Sequence, residues 1–539
     1  MCHSSRENSI CIMKHPLTIA AISMFIPSMG QSETTLSDVS ASPPTAPTLD
    51  LLQKSEPLYV FEWGVNGYDW SASKRTLPEL PGFIYTPQRP GTQLGELAQG
   101  AKVRDHALPL SQVQPWNVIP HNGGIIFKPL LYVKTKSKQK SIPLGVELKF
   151  EGGDAVAWWP QAHIWRTPEL KPASKPVSKP VSKTETNHST ALAGRFRPLT
   201  SPLPQDPSME LEWQWLDLTK QKPEKLTFKG LDLENDHWIQ QARKVDSLWI
   251  SNKKEAEKYI FYEGTTTDLP DIAVVHTGKN LADCQLLNTS CHALHDVFII
   301  YNKDGKRSVH YLPQLLPFYA QDATGAHPDA VRNVSLTKII GSAKELSNKE
   351  HTTLTKEKLA KVLSPEKKVA EIFSRFANPP LKSKVKNNSD LTQYSWMLSA
   401  PQYVTTATDS ALTPDLANSL AEIWDKEFFH SEGLTIIYRE SSQQLDQRIP
   451  MRLCTDARHG IIFSRCGLVL NSNIDLTEIK KAQAIIDTIL SGDTKTTTEK
   501  WQTCLSQSQA LQAYLTYKSA THPHMEAEIK KIQKRLIGR

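Results

Sequence analysis

The sequence contains one dense group of side chains that bind metals, the segment CQLLNTSCHALH with Cys284, Cys291, His292 and His295. Two thiolates and two imidazoles can hold a zinc ion tetrahedrally. Their spacing matches no standard zinc motif, however, and cysteines oxidised to a disulfide cannot bind a metal. The N-terminus described below indicates export, and close cysteines in an exported chain are interpreted first as a disulfide. We therefore expect Cys284 and Cys291 to be joined, with unpaired thiols and then zinc as alternatives, and we predict no metal site.

Later cysteines provide further disulfide candidates. Cys466 can pair with Cys454 or with Cys504. Two of the seven cysteines precede the expected export cleavage site, so five remain and one thiol is left over or bridges to another chain. Cys454 and His459 also form a possible Cys-His catalytic pair. The residues between them, TDAR, are typical of a polar turn, which favours the structural interpretation over the catalytic one.

Carboxylates for acid-base chemistry are present but not grouped. A glycosidase-type pair could be drawn from Glu62, Asp69, Asp246 or Glu263. Such chemistry needs two carboxyl groups about 5 to 9 Å apart across a sugar, and the sequence gives no distances. Arg243 lies one helical turn before Asp246, which favours an ion pair for that aspartate. The choice among the four carboxylates stays open.

No motif in the sequence indicates a cofactor or a nucleophile. There is no G-x-S-x-G nucleophile elbow, no H-E-x-x-H metalloprotease motif and no phosphate-binding loop in the required context. The net charge of +7 is spread over both halves of the chain, without a basic block interleaved with aromatic residues. This pattern argues against a nucleic-acid partner. The sequence therefore predicts neither a cofactor nor nucleic-acid binding.

Thirteen tryptophans are a second possible source of binding. Trp158 and Trp159 are adjacent in an expected strand, so their side chains must point to opposite faces of the sheet. If one face is solvated, one of these rings is exposed and could stack on a sugar or a peptide. Burial of both rings in the core is the favoured alternative.

The N-terminus has the pattern of a secretory signal peptide. Met13 and two cationic residues precede the apolar run Leu17–Ile26 and the small, polar segment SMGQSE. This arrangement predicts a signal peptide over residues 1–30 and export to the periplasm or the extracellular space. Either Met1 or Met13 is the start of translation. The apolar run is shorter than the roughly 20 residues that a membrane-spanning helix needs, and no later segment is apolar enough, so we expect no membrane span after cleavage.

Composition divides the rest of the chain into four regions. Residues 31–56 are rich in Ser, Thr and Pro and are typical of a disordered linker. Short strands with Pro and Gly between them predict a β-rich region over 57–345. Within it, the Pro- and Lys-rich segment 167–207 is either a linker between two domains or a surface insertion, and the strands that resume directly after it favour the insertion. We expect a mixed helix-strand region over 346–470, in which Thr413-Pro414-Asp415 marks the start of a helix, and a helical C-terminal segment over 471–539 that includes a helix from Leu476 to Leu490. Within the β-rich region, Lys303-Asp304-Gly305 is the expected turn of a hairpin.

Several of these segments resemble those of a known family. The segments FKPLLYVKT, a hairpin ending in WWP, LEWQWL, AR-x-VD, EAEKYIFYEG and WDKEFFHSEGLTIIY are similar to elements of a family of uncharacterised exported bacterial proteins. The similarity extends from Phe61 to Leu453, in islands. No activity is known for that family, so the resemblance implies export and a common β-rich core and carries over no catalytic residue.

Together these features predict an α+β protein with a β-sandwich-like N-terminal region, a mixed helix-strand middle and a helical C-terminal segment. The expected function is a non-enzymatic envelope or extracellular binding protein, with an envelope protein or a glycan as its partner. The alternatives are an exported hydrolase whose site is assembled from distant residues, and a structural part of an envelope assembly. A polar pocket with converging carboxylates and shifted pKa values would favour the hydrolase.

Overall fold

Most of the predicted strands and helices fall in the part of the chain that the computed structural model describes. That part comprises residues 56–70, 80–87, 103–105, 107–112, 124–150, 153–167, 208–224, 226, 228–266, 268–278, 283–319, 326–374, 404–406, 411–455, 459–492 and 497–537. The expected signal peptide (1–30), the 31–56 linker up to residue 55, and residues 168–207 of the expected insertion lie outside it.

Aromatic and β-branched runs form twenty-one strands in the described residues, as expected for side chains that pack well on a pleated surface. The strands are β1 (Leu58–Asp69), β2 (Tyr85–Pro87), β3 (Val103–Asp105), β4 (Ala107–Pro109), β5 (Ile125–Thr135), β6 (Ile142–Phe150), β7 (Ala155–Trp159), β8 (His163–Thr167), β9 (Ser208–Thr219), β10 (Trp249–Ser251), β11 (Ala256–Glu257), β12 (Ile260–Thr265), β13 (Ile272–His276), β14 (Cys284–Asn288), β15 (Leu294–Lys303), β16 (Lys306–Leu315), β17 (Asn333–Ser335), β18 (Val404–Thr406), β19 (Gly433–Arg439), β20 (Met451–Thr455) and β21 (Ile461–Ile474).

The helices lie mainly in the second half of the chain. They are α1 (Trp238–Ala242), α2 (Leu336–Gly341), α3 (Asn348–Leu354), α4 (Lys356–Leu363), α5 (Glu366–Ser374), α6 (Pro414–Phe429), α7 (Ser442–Arg448), α8 (Leu476–Leu490), α9 (Thr498–Ser506), α10 (Ser508–Thr521) and α11 (Glu526–Ile537). Helix α6 begins with the predicted Thr413-Pro414-Asp415 sequence, in which Pro414 occupies the first helical position and Asp415 lies in the first turn. None of the described helices is long and apolar enough to cross a membrane.

The largest sheet has eleven strands in the order β16-β15-β19-β21-β1-β5-β12-β7-β2-β4, with β18 also paired to β21. At its centre β1 and β21 run parallel over twelve residue pairs, from Leu58 opposite Ile461 to Asp69 opposite Ser472. Nearly every residue of both strands is buried. Strands covered on both faces usually form such continuous apolar runs. A strand near the beginning of the described chain is thus paired with one near its end.

Both faces of this large sheet are covered. On one face, Tyr59, Phe61 and Trp63 of β1 pack with α1, α4, α5 and α6. On the other face, Leu58 and Val60 pack against the second sheet, which has seven strands and whose main path is β11-β10-β9-β6-β20. The fold is therefore α+β, as predicted. The sandwich itself is not confirmed, because one of the two packed sheets carries helices on its outer face.

A third sheet, in the order β13-β14-β17, connects this core to the C-terminal helices. Ala273, Val275 and Leu287 of that sheet form one apolar cluster with α8, α9, α10 and α11. The helical C-terminal segment was predicted correctly. The described residues all belong to one compact unit.

Candidate functional site

A polar recess lies between helix α7 and the face of the large sheet that packs against the second sheet. After Leu58 and Val60, the side chains on that face of β1 are those of Glu62, Gly64 and Asn66, because strand side chains alternate between the two faces. The recess has a volume of about 270 Å³, part of which is open to solvent. Its polar lining consists of Glu62, Asn66, Tyr262, Glu440 and Arg448, and its apolar lining includes Val65, Ile126, Pro129, Leu445 and Ile449. We call these residues the polar recess.

The carboxylate of Glu62 accepts three hydrogen bonds. Glu62 is 1% exposed, and its carboxylate accepts hydrogen bonds from Nε of Arg465, from Nη2 of Arg465 at 3.0 Å and from the hydroxyl of Tyr262. Nη1 of Arg465 donates to Oδ1 of Asp446 at 2.6 Å and to the carbonyl oxygen of Ile449 at 2.7 Å. Arg465 therefore links the central strands β1 and β21 to α7 and the residue that follows it.

A second cluster of charges surrounds Arg448 at the end of α7. Its guanidinium donates to Glu440, which follows β19, and to Asp268, which follows β12. Asp271 lies close by, and its carboxylate accepts a hydrogen bond of 3.4 Å from Tyr438. Burial raises the pKa of Glu440 to about 7, although the charge of Arg448 opposes this shift. Burial raises the pKa of Asp271 to about 6 in the same way.

Two oxygen atoms of the polar recess are buried without a hydrogen-bond partner in the described residues. They are Oε2 of Glu440 and Oδ1 of Asn66, whose residues are 1% and 4% exposed. Oε2 of Glu440 packs closely over Gly467, where a Cβ atom would lie only 2.8 Å away. Glycine at position 467 therefore leaves room for the carboxylate. A buried acceptor without a donor is costly, so each of these atoms calls for a hydrogen-bond donor.

Of the four carboxylates considered from the sequence, the polar recess contains only Glu62. Glu263 is fully buried elsewhere, where it accepts a hydrogen bond of 3.1 Å from the backbone N–H of Lys128. Asp69 lies at the end of β1 and accepts a hydrogen bond of 3.0 Å from Asn473, and Asp246 is exposed.

The expected ion pair between Arg243 and Asp246 is not formed. Arg243 instead pairs with Glu257 at 2.7 Å and donates to the carbonyl oxygens of Lys229 and Gly230. Glu257 is fully buried, and an unpaired charge there would cost more free energy than the exposed charge of Asp246 does in water. Pairing with Arg243 offsets that cost.

Among the described residues no disulfide joins the candidate cysteines: Cys284, Cys454, Cys466 and Cys504 are buried and Cys291 is exposed. The disulfide pairing stays a prediction. Cys284, Cys466 and Cys504 belong to three different apolar clusters, which separates them. Burial raises the pKa of Cys454 to about 11, so at neutral pH its thiol is protonated and is a poor nucleophile beside His459.

The segment CQLLNTSCHALH, considered above for zinc, does not bring its four possible ligands together. Cys284 is buried and Cys291 is exposed, and the four side chains of Cys284, Cys291, His292 and His295 do not converge on a common ion among the described residues. A different group does converge: His351, Asp425 and His430 each present a ligand atom within 4.8 Å of the others.

The proposed aromatic binding surface is not supported. Trp158 and Trp159 do point to opposite faces, as the sequence requires, but they are 0% and 1% exposed. Both faces of their strand are covered, one by helices and one by the second sheet, so neither ring can reach a ligand at the surface.

Three further residues of the site were not identified from the sequence. Glu440 and Arg448 line the recess, and Arg465 pairs with Glu62. Arg465 meets Glu62 across 403 residues of sequence, and the pairing that joins them depends on the register of β1 with β21. A charged residue within an apolar run, such as Arg465 in GIIFSRCGLVL, is the one local signal that these residues give, because buried charges are usually paired.

Comparison with known proteins adds no further assignment, because no family model, no curated protein and no solved structure matches this chain. The resemblance to exported bacterial proteins therefore stays a prediction, and the candidate site stands on its own geometry.

Proposed function

We propose that this chain is an exported binding protein whose polar recess takes a small primary alkylammonium ion. The observation that carries the proposal is that two residues lining the recess each have a buried oxygen without a hydrogen-bond partner among the described residues, Oε2 of Glu440 and Oδ1 of Asn66. Both atoms are acceptors, so the group that complements them must donate hydrogen bonds. An ammonium group offers several such donors together with a positive charge.

The charges around the recess support a cationic ligand over a neutral one. Four buried carboxylates, Glu62, Asp268, Asp271 and Glu440, lie around two guanidinium groups, Arg448 and Arg465. When all four carboxylates are ionised, the cluster has an excess of two negative charges. Uptake of protons relieves this excess, as the raised pKa values of Glu440 and Asp271 indicate. A bound cation would relieve it equally.

The shape and walls of the recess favour an organic ammonium ion over a bare metal ion. A calcium ion takes six to eight oxygen ligands, whereas the described recess has two oxygens without partners. The remaining walls are apolar, with Ile126, Leu445 and Ile449 among them. The enclosed space has room for about one water-sized group, since the 270 Å³ around it includes open solvent. An ammonium head of that size fits the enclosed space, and a short alkyl chain can extend from it along the apolar walls toward the opening.

The direct test is calorimetric titration of the folded chain with propylammonium chloride at pH 8. The best small ligands gain about 1.5 kcal/mol per non-hydrogen atom, so four atoms give at most about 6 kcal/mol, or a Kd of some tens of micromolar. We expect saturable binding with a Kd between this limit and the millimolar range. Propanol, which keeps the shape and loses the charge, should bind at least tenfold more weakly.

Two substitutions locate the binding. Glu440→Gln should reduce propylammonium affinity at least tenfold, because it removes the charge and puts an amide donor or a neutral acceptor at the recess. Glu257→Gln is the matched control, since Glu257 is also a buried carboxylate paired with an arginine but does not line the recess. Equal binding of propanol, or undiminished propylammonium binding by Glu440→Gln, would refute the proposal.

A hydrolase is the second candidate. The observation that favours it is that two carboxylates, Glu62 and Glu440, line the same recess, and that the pKa of Glu440 near 7 suits a general acid. Against it, both oxygens of Glu62 already accept hydrogen bonds from Arg465 or Tyr262. Turnover of aryl glycosides or esters that is lost in Glu440→Gln and retained in Glu257→Gln would establish the hydrolase in place of the binding protein.

A further inference from the structure

Three possible metal ligands converge at a second place, far along the chain from those the sequence suggested. His351 lies in α3, Asp425 lies in the last part of α6, and His430 is the residue that ends α6. Nε2 of His351 is 2.9 Å from Nε2 of His430, and Nε2 of His430 is 3.4 Å from Oδ2 of Asp425. His430 is exposed and the other two are half-buried, so solvent reaches the group.

These separations are close to those between the ligands of a zinc ion. Bonds of about 2.0 to 2.1 Å in a tetrahedron place neighbouring ligand atoms about 3.3 Å apart. Two imidazoles and one carboxylate are a frequent ligand set of catalytic zinc sites, where a fourth position is left to water. Oδ1 of Asp425 is buried without a hydrogen-bond partner in the described part of the chain. The carboxylate is therefore incompletely paired.

In the metal-free arrangement Arg307 of β16 lies against both rings. Its Nη1 contacts Nδ1 of His351 and lies 3.2 Å from Nε2 of the same ring, and its Nη2 lies 3.3 Å from Nδ1 of His430. Arginine has only donors, so the ring nitrogens that it binds must accept. The two Nε2 atoms face each other at 2.9 Å. The guanidinium therefore occupies the space beside the ligand atoms when no metal ion is bound.

Arg307 has a partner besides the two rings, because its Nε donates to Oδ1 of Asn302. The guanidinium can therefore withdraw toward Asn302 and leave the two rings to another cation.

We propose that His351, Asp425 and His430 form a site for a divalent transition-metal ion such as Zn²⁺, with Nε2, Oδ2 and Nε2 as ligands and a fourth position open to water. The metal ion takes the place between the two Nε2 atoms, which lie 2.9 Å apart. Arg307 occupies the metal-free site and moves away when the ion binds, since a metal-bound neutral imidazole carries its proton on Nδ1 and no longer accepts from arginine.

The test is a titration of the metal-free full chain with Zn²⁺ against a chromophoric chelator at pH 7.5. We expect the unmodified chain to bind one equivalent that His351→Ala/His430→Ala lacks. The matched control is His522→Ala/His524→Ala, which removes two neighbouring histidines elsewhere, with ring centroids 6.0 Å apart, and should retain that equivalent. Asp425→Asn, which keeps the side-chain shape, should weaken zinc binding at least tenfold and serves as the second variant where the double histidine variant does not fold.

Arg307→Gln distinguishes a displaced arginine from a supporting one. Removal of a positive charge beside a divalent ion should tighten zinc binding by about tenfold. Co²⁺ provides an independent readout, since a tetrahedral site gives intense visible absorption that should vanish in His351→Ala/His430→Ala. Equal zinc stoichiometry and affinity in the double histidine variant and its control, or weaker binding by Arg307→Gln, would overturn the site. Glu440→Gln should leave zinc binding unchanged, so this result is separate from that for the polar recess.

Discussion

Glu440 makes the stability of the protein depend on pH in a defined direction. Its pKa is raised from 4.5 to about 7, so between these values the folded state holds a proton that the unfolded state releases. The stabilising contribution is complete below about pH 4.5 and is lost as the pH rises through 7. Asp271, raised from 3.8 to about 6, acts in the same direction over a lower range.

We therefore predict that Glu440→Gln removes most of the decrease in unfolding free energy that the unmodified chain shows between pH 5 and pH 8. A shift of this size corresponds to roughly 2 to 3 kcal/mol. Urea unfolding at pH 5 and pH 8 for both chains measures the difference. A decrease of the same size in Glu440→Gln would show that another group is responsible.

At the scale of the elements, the ion pair of Glu62 and Arg465 stabilises the central β1-β21 pair. Both side chains are almost fully buried, so removal of one leaves an uncompensated charge in the core. Arg465→Met should lower the unfolding free energy by about 3 to 5 kcal/mol. The double variant Glu62→Gln/Arg465→Met should lose less than Arg465→Met alone, because no buried charge is left over.

Lys134→Met is the matched control for this prediction. Lys134 of β5 pairs with Asp415 at 2.6 Å, but the two side chains are 20% and 38% exposed. Exposed pairs of this kind contribute about 0 to 1 kcal/mol. Chemical unfolding of the three variants gives the comparison. A loss by Arg465→Met no larger than that by Lys134→Met would mean that the buried pair does not hold the central strands.

Local features of the sequence predicted several elements well. Cap and proline signals placed the start of α6, and apolar periodicity placed α8 at Leu476–Leu490. The Lys303-Asp304-Gly305 turn between β15 and β16 was also predicted, and Asp304 and Gly305 have the positive φ angles that such a tight hairpin requires. The pairing of β1 with β21 was not predictable, because no local signal specifies a register between residues so far apart. The polar recess depends on that pairing, so only Glu62 of its residues was identified.

At the scale of the whole molecule, coverage of the large sheet on both faces explains why Trp158 and Trp159 are buried and why the thiols are kept apart. The apolar clusters enclose Cys284, Cys466 and Cys504, Cys454 is buried in β20, and Cys291 is exposed. The clusters thus place Cys284, Cys466 and Cys504 in separate parts of the core.

We predict that the native mature chain has one thiol that reacts rapidly with an aromatic disulfide reagent, that of Cys291, and four that react only on unfolding. Cys291→Ser should remove the rapid phase and leave the slow one. Kinetic thiol titration of protein from its native compartment, with and without denaturant, measures both phases. Fewer than five thiols in the unfolded, unreduced protein would show that disulfides form after all. Peptide mapping of the same sample should lack residues 13–30 if the chain is exported and cleaved.

Cation binding at Glu440 is tested most directly by the number of protons released when propylammonium binds at pH 6. With a pKa near 7, Glu440 is about nine-tenths protonated at that pH and must ionise to hold the cation. Calorimetry in two buffers of different ionisation enthalpy should give a release of about one proton per chain at pH 6 and close to none at pH 8.5, with affinity about tenfold weaker at pH 6. Binding without proton release at pH 6, or the same release from Glu440→Gln, would contradict a cation site at Glu440.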